Sequence, residues 1–281
     1  MRIISRYLAT GIKTLDEAIR GWQVPGLYVI ASRPSMGKTS FILSIIRNIS
    51  ITQNIPSGII TTEMSTEHLT KRLIANFCNI SGSKIYGLQK LSLTELKLIQ
   101  KQTLMMEESP LYIFDEPFMT LNKFRAQALK TIRLKGVKLI FIDRLDGFYS
   151  EGDDPEKLDI SEVCKELKNF AENHDVTIIG TFCLLRGNKD WDPDDKDLPK
   201  TMEFNDVNNI IFLYRAEVDA DEIEEFAHIN NIKNKVLVRV MYPRKDLVLR
   251  FIPELYRFED IDNEYEKESF IDALRTITKR T

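Results

Sequence analysis

The stretch LYVIASRPSMGKTS, residues 27–40, passes from an apolar β-type run into a tight loop and then into Gly37-Lys38-Thr39 at the head of a helical pattern. Strand, loop, Gly-Lys-Thr and helix form the context of a phosphate-binding loop, and each part has a physical task. Backbone N–H groups of the loop and the first helical turn point at phosphate oxygens, and the helix dipole favours negative charge there. Gly37 lets the backbone approach without a Cβ in the way. Lys38 supplies a positive point charge to the β/γ phosphates, and the Thr39 hydroxyl is suited to Mg²⁺. Arg33, Pro34, Ser35, Met36, Gly37, Lys38, Thr39 and Ser40 are therefore the expected nucleotide-binding residues, with ATP and Mg²⁺ as ligands. The general pattern GxxxxGK[ST] places Gly where this chain has Ser32, a mild departure if Ser32 keeps a negative φ.

Outward from this loop, short apolar runs alternate with longer amphipathic ones. Candidate strands are 27–31, 58–62, 111–114, 138–142, 176–182, 209–214, 236–242 and 247–252. Several are nearly continuous Ile, Val, Leu and Phe, as strands buried on both faces are. Helical patterns occupy 39–50, 66–78, 93–106, 121–135 and 160–174, with Ser65 and Thr120 placed as N-caps. The alternation predicts an α/β fold with a largely parallel twisted sheet flanked by helices. The last two strands are joined by residues 243–246, too short for a crossover helix, so a C-terminal antiparallel hairpin is expected. With no internal repeat and no low-complexity linker, residues 1–281 are read as a single domain.

Two carboxylates stand where such a site needs them. Residues 138–143, KLIFID, form an apolar strand ending in Asp143, and an acid at a strand's C-terminal end projects into the crevice where nucleotides bind in open α/β sheets. Asp143 would hold Mg²⁺ through water; alternatively it caps the next turn. Glu63 follows the strand 58–62 in TTEMS, where a carboxylate can polarise an attacking water. It could equally be an acid favoured by the dipole at the start of helix 66–78.

Composition narrows the class. The chain has 43% hydrophobic and 29% charged residues, ordinary globular usage that excludes a disordered or collagen-like chain. Cys78, Cys164 and Cys183 form no CxxC pair, which argues against a disulfide framework or zinc site and for a reducing compartment. No apolar run approaches the roughly 20 residues of a membrane span, and residues 1–10 lack a secretory h-region, so a cytoplasmic protein without membrane contact is expected. The net charge is −3, so any nucleic-acid site must be local. Residues 150–159 carry five acids and one lysine, 186–200 five acids and four bases, and 217–225 six acids and no base; such stretches are ordinarily solvated loops.

Taken together, TGIKTLDEAIRGWQVPGLYVIASRPSMGKTS from Thr10, ITTEMS, LIFIDRL, EVCKELKNFAENHDVTIIG, NNIIFLYR and LYRFED resemble the C-terminal motor domain of DnaB-type replicative helicases. The resemblance implies a RecA-like P-loop ATPase that forms hexameric rings around single-stranded DNA and unwinds duplexes. It implies Lys38 and Thr39 as triphosphate and metal ligands, Glu63 as catalytic base and Asp143 as the Walker B acid. The pattern opens at Thr10, so the family's N-terminal domain and linker helix have no counterpart in the sequence, which leaves ring assembly without that linker. Cys183 stands where the family has a γ-phosphate-sensing Gln, and a thiol does not hydrogen-bond in that manner. The family's Lys-x-Arg finger has no counterpart at its spacing; Arg239 and Arg244 are the nearest basic residues. Its DNA-channel loops correspond to 150–159 and 186–200, the first of them strongly acidic, which predicts weak single-stranded DNA binding by the isolated chain. The opposing expectation is a channel lined by Arg144, Arg239, Arg244 or Lys245 once a ring assembles. Two functions follow: a helicase-type ATPase, or a non-unwinding ATP-binding accessory or regulatory protein on the same scaffold.

Overall fold

The computed structural model describes residues 6–184, 195–202, 204–216 and 234–278. Most of the charged stretch 186–200 (Arg186 to Asp194) and all of 217–225 lie outside the described residues. The chain begins with β1 (Tyr7–Leu8), α1 (Lys13–Ile19), β2 (Trp22–Gln23), β3 (Gly26–Ser32) and α2 (Lys38–Ile46). It continues through β4 (Ser57–Thr61), α3 (Thr66–Cys78), α4 (Gly82–Ile85), α5 (Leu93–Glu108), β5 (Leu111–Asp115), β6 (Met119–Thr120), α6 (Leu121–Lys135) and β7 (Leu139–Asp143). Then come β8 (Phe148–Tyr149), α7 (Ile160–His174), β9 (Thr177–Cys183), β10 (Asn209–Tyr214), β11 (Lys235–Met241), β12 (Arg244–Ile252), β13 (Arg257–Asp260) and α8 (Glu264–Thr278).

Nine of these strands form one sheet in the order β13-β12-β11-β10-β3-β9-β7-β4-β5. From β10 to β5 every pair is parallel, whereas β10 to β13 form an antiparallel meander. The apolar runs of β3, β4 and β7 are buried along their whole length because helices cover both faces. One face packs Ile12 and Leu15 before and on α1, Phe41, Ile42 and Ile45 of α2, and Leu69 and Leu73 of α3. The other packs Phe124 and Ala128 of α6 with Val163, Leu167 and Phe170 of α7. A smaller cluster joins Phe270 and Leu274 of α8 to Met36, Leu237 and Val248.

Local signals set the helix ends. Ser65, Thr120 and Asp159 each accept a backbone N–H at the start of α3, α6 and α7, while Asn79, Gly136 and Asp175 end the same helices in the left-handed region. The helix expected over 39–50 stops at Ile46 and widens into a π-type segment, Arg47–Thr52. The expected hairpin is present, but its pairing runs to Met241↔Arg244, leaving a two-residue turn at Tyr242-Pro243. The second strand therefore begins at Arg244 and not at Leu247: the ladder runs on through three exposed polar residues, Arg244, Lys245 and Asp246, the last of them opposite Arg239 and salt-bridged to it. Strand β13 and helix α8 extend the fold beyond the elements read from the sequence. No helix among the described residues is long and apolar enough to cross a membrane.

The C-terminal meander reaches back under the phosphate loop. Phe258 of β13 donates its N–H to Ser44 Oγ of α2 at 2.9 Å and stacks edge-on against Phe41. Asp260, two residues on, accepts the N–H groups of Lys13 and Thr14 at the start of α1. The loops after β3, β4, β7 and β9 thus meet at the carboxyl ends of the parallel strands, the crevice where open α/β sheets place ligands.

Candidate active site

Residues 33–37 link β3 to α2 in a turn whose strain falls on two positions. Ser35 has φ 64° and Gly37 φ 98°. At φ 98° a side chain at 37 would be strained whatever the space, and a Cβ there would also crowd the Phe258 ring at 3.1 Å. Ser32 is not among the positive-φ residues, so the departure from the glycine pattern at 32 carries no backbone strain. Its hydroxyl and carbonyl instead serve Lys38. Met36 turns its side chain into the α8 cluster, leaving only its backbone toward the loop. Arg33 is half-buried, Pro34 and Ser35 are exposed, and Ser40 is buried within α2. Arg215 holds the outside of the turn, donating to Ser35 O at 3.1 Å while its guanidinium stacks 4.5 Å from the Phe251 ring.

Lys38 is 9% exposed, and its ammonium donates to Ser32 O (3.0 Å), Ser32 Oγ (3.1 Å) and Arg33 O (3.0 Å). Burial, more than any neighbour, holds its pKa below the usual lysine value. Asp143, at the end of β7, is 1% exposed and accepts from Thr39 Oγ1 at 2.8 Å and Thr181 Oγ1 at 2.6 Å. Burial pushes its pKa up, against the two hydroxyls, which pull it down. Neither charge has an ion-pair partner among the described residues. A buried ammonium facing neutral oxygens and a buried carboxylate facing hydroxyls share one crevice. That donor set is complementary to a polyphosphate carrying a divalent cation.

Glu63 lies beyond the end of β4, its side chain 57% exposed, with Arg144 Nη1 at 3.3 Å. The guanidinium of Arg144 is forked onto Asp146, with Nε 3.0 Å from Oδ1 and Nη2 bonded to Oδ2. Two carboxylates on one cation raise the Arg144 pKa further. The strands bearing Glu63 and Asp143 are tied at their tips, Thr62 donating its N–H to Asp143 O at 2.7 Å. Lys38, Thr39 and Asp143 are thereby brought together with Thr181, while Glu63 sits at the outer rim. Thr181 escaped the sequence reading: a threonine inside the run TIIGTF gives no sign of what it faces.

The departures also take shape. Cys183 closes β9 directly opposite Ser32, its thiol 3.9 Å from Leu184 O. Arg239 is 5% exposed and forms a bidentate pair with Asp246 at 2.7 and 2.8 Å, so it lines no open channel here. Arg144 is likewise occupied by Glu63 and Asp146. Glu151, Asp153, Asp154 and Glu156 are exposed, and Asp159 is spent on capping α7.

This doubly covered sheet, with a phosphate-type loop after β3 and a buried acid ending β7, defines a RecA-like fold. The chain belongs to the DnaB-like helicase C terminal domain family, whose model matches residues 8–260. It is 32% identical over 220 residues to the replicative DNA helicase DnaB of Treponema pallidum (strain Nichols), covering 77% of this chain and 49% of that protein. It is 28% identical over 272 residues to the replicative DNA helicase DnaC of Bacillus subtilis (strain 168), covering 92% and 58%. The solved structure of a DnaB-like replicative helicase, described with its interactions with primase, is similar with a TM-score of 0.79 at 26% identity. That match covers 90% of this chain and 61% of the other. The chain spans about half the length of the curated relatives it matches.

Proposed function

We propose that this chain, acting as one RecA-like domain, binds and hydrolyses ATP with Mg²⁺ as a motor of the replicative DNA helicase type. The observation that supports it most is a buried ammonium, Lys38, and a buried carboxylate, Asp143, at one crevice, neither in a salt bridge among the described residues. Lys38 exchanges its carbonyl acceptors for phosphate oxygens, and the backbone of residues 33–40 supplies N–H donors. Thr39, whose hydroxyl now donates to Asp143, and Asp143 itself are the residues that would hold Mg²⁺. Bound Mg²⁺ would offset charge developing on the β/γ phosphates. Glu63, released from Arg144, takes the proton of the attacking water.

The family membership supports a hexameric, DNA-engaged assembly in the cytoplasm. The exposed acids of 151–156 and the locked Arg239 support weak binding of single-stranded DNA by the isolated chain. These two features also favour a second reading, an ATP-binding accessory protein that does not unwind DNA. The test is ATP turnover with and without single-stranded DNA, beside strand displacement on a forked duplex. Mg²⁺-dependent turnover that falls at least about a hundredfold in Glu63→Gln, with ATP affinity retained, is the expected result. Failure of the parent chain to bind ATP would refute the proposal, and turnover without strand displacement would select the second reading.

A further inference from the structure

The far edge of the sheet carries a surface that nucleotide chemistry does not use. Strand β5 is last in the order, paired with β4 on one side and with no strand among the described residues on the other. Every one of its residues is partly or fully exposed, unlike those of β3, β4 and β7. In a parallel pair, alternate residues direct their backbone groups to the same neighbour. Pro110 O accepts from Ser57 and Glu116 N–H donates to Thr61 O, so Tyr112 and Phe114 address β4 while Ile113 turns its N–H and C=O outward. An apolar edge of this kind, LYIFD, is a template for a further strand.

Beside it a cleft of about 180 Å³ opens between β5 and α6. Its apolar lining includes Tyr112, Phe114 and Leu134, and its charged lining is Lys130 and Lys135. Leu134 is 70% exposed, and the Lys135 ammonium lies 5.3 Å from the Tyr112 ring centre. No acid lines the cleft, and neither lysine is paired with a carboxylate among the described residues. Helix α6 has five basic residues and no acidic one. Asp115, at the strand's end, is engaged by the Thr66 N–H. An apolar cavity of about 150 Å³ accepts a benzene ring, so the cleft has room for one aromatic side chain.

We propose that β5 and this cleft form a docking site for an extended acidic segment of another polypeptide. The segment adds as a strand along Leu111–Asp115, seats an aromatic or large aliphatic side chain against Tyr112 and Phe114, and sets carboxylates against Lys130 and Lys135. A nucleic-acid backbone would use the lysines but leave the outward N–H and C=O groups of Ile113 and the apolar lining unmatched.

The probe is a fluorescein-labelled peptide of alternating Glu and Val around a central Phe, titrated by anisotropy into the whole chain. Saturable binding is expected, weakened at least about tenfold by Lys130→Glu with Lys135→Glu, exposed changes whose melting temperature is followed beside the parent's. A strand presents only one edge to its partner, so N-methylating one alternate set of peptide amides abolishes binding and methylating the other set does not. This second readout requires no protein variant. The proposal is overturned by absence of saturable binding, by equal binding of a peptide with Lys in place of Glu, or by equal tolerance of both N-methyl series. Displacement of the peptide by a twenty-residue oligothymidylate at equal charge also overturns it and assigns the patch to nucleic acid.

Discussion

Replacing Lys38 by methionine separates what the side chain does for the fold from what it does for a ligand. The ammonium is 9% exposed and donates three hydrogen bonds at 3.0–3.1 Å. Bonds from a charged donor contribute about 1.5–3 kcal/mol each, and burying an ammonium costs several kcal/mol, so the two nearly cancel. The lowered pKa says that burial prevails. Methionine keeps the stem's packing and strands no carbonyl, because Ser32 O retains the Leu184 N–H at 3.0 Å and Arg33 O retains the Ser32 hydroxyl at 2.9 Å. Because the two contributions nearly cancel, the expected result is a ligand-free variant no less stable than the parent, its melting temperature unchanged or raised by at most about 2–4 °C. Any advantage narrows as pH rises from the lowered folded-state pKa toward about 10.4, since the unfolded chain there holds the proton that the folded parent has lost. Saturating Mg²⁺ and a non-hydrolysable ATP analogue, at about 100 times Kd, should add about 2.7 kcal/mol to the parent and nothing measurable to the variant. Differential scanning calorimetry reads both effects. A ligand-free melting temperature lowered by more than about 3 °C, with the nucleotide shift retained, would refute the reasoning and make Lys38 a structural residue.

Three further results are expected. In Mg²⁺-free buffer, the carboxyl of Asp143 favours folding when protonated, a contribution present below about pH 4 and lost as pH rises through its raised folded-state pKa. The urea midpoint of Asp143→Asn relative to the parent should therefore climb between pH 4 and pH 7, and a flat difference would count against burial of the charge. Gly37→Ala should cost about 1–3 kcal/mol in urea unfolding, because the residue sits at φ 98° with the Phe258 ring 3.1 Å from the added carbon. Labelled single-stranded oligonucleotide, titrated at low and moderate salt with the ATP analogue present, should bind weakly; micromolar or tighter binding with a clear salt slope would contradict the repulsion assigned to 151–156.

Much of this architecture is legible in the chain itself. Strands β3, β4, β7, β9 and β10 announce themselves because burial on both faces demands unbroken apolar runs, and the caps at Ser65 and Thr120 are local chemistry. What escapes is tertiary. Arg257–Asp260 is too short and too charged to signal a strand; it becomes one by pairing with β12 and by lodging Phe258 beneath Gly37. The three-way contact of Arg144 with Glu63 and Asp146 depends on two loops meeting after strands far apart in sequence. The hold of Thr181 on Asp143 depends on strand order, β9 beside β7, which composition does not encode. The departure at Ser32 also reads differently in three dimensions: the strained residues are Ser35 and Gly37, and Ser32 is a hydrogen-bond partner for Lys38.

The wedge of Phe258 under the phosphate loop has a mechanical consequence. Its ring bears on Gly37, its N–H is fastened to Ser44 on α2, and Asp260 two residues on grips the head of α1. The antiparallel meander and the loop are therefore expected to shift together, since β13 is fastened to both. A load on the β11–β12 hairpin, such as a neighbouring molecule pushing on its exposed tip, should therefore be felt at the loop through that ring. It should register first as a changed residence time for nucleotide, before any strand pairing gives way.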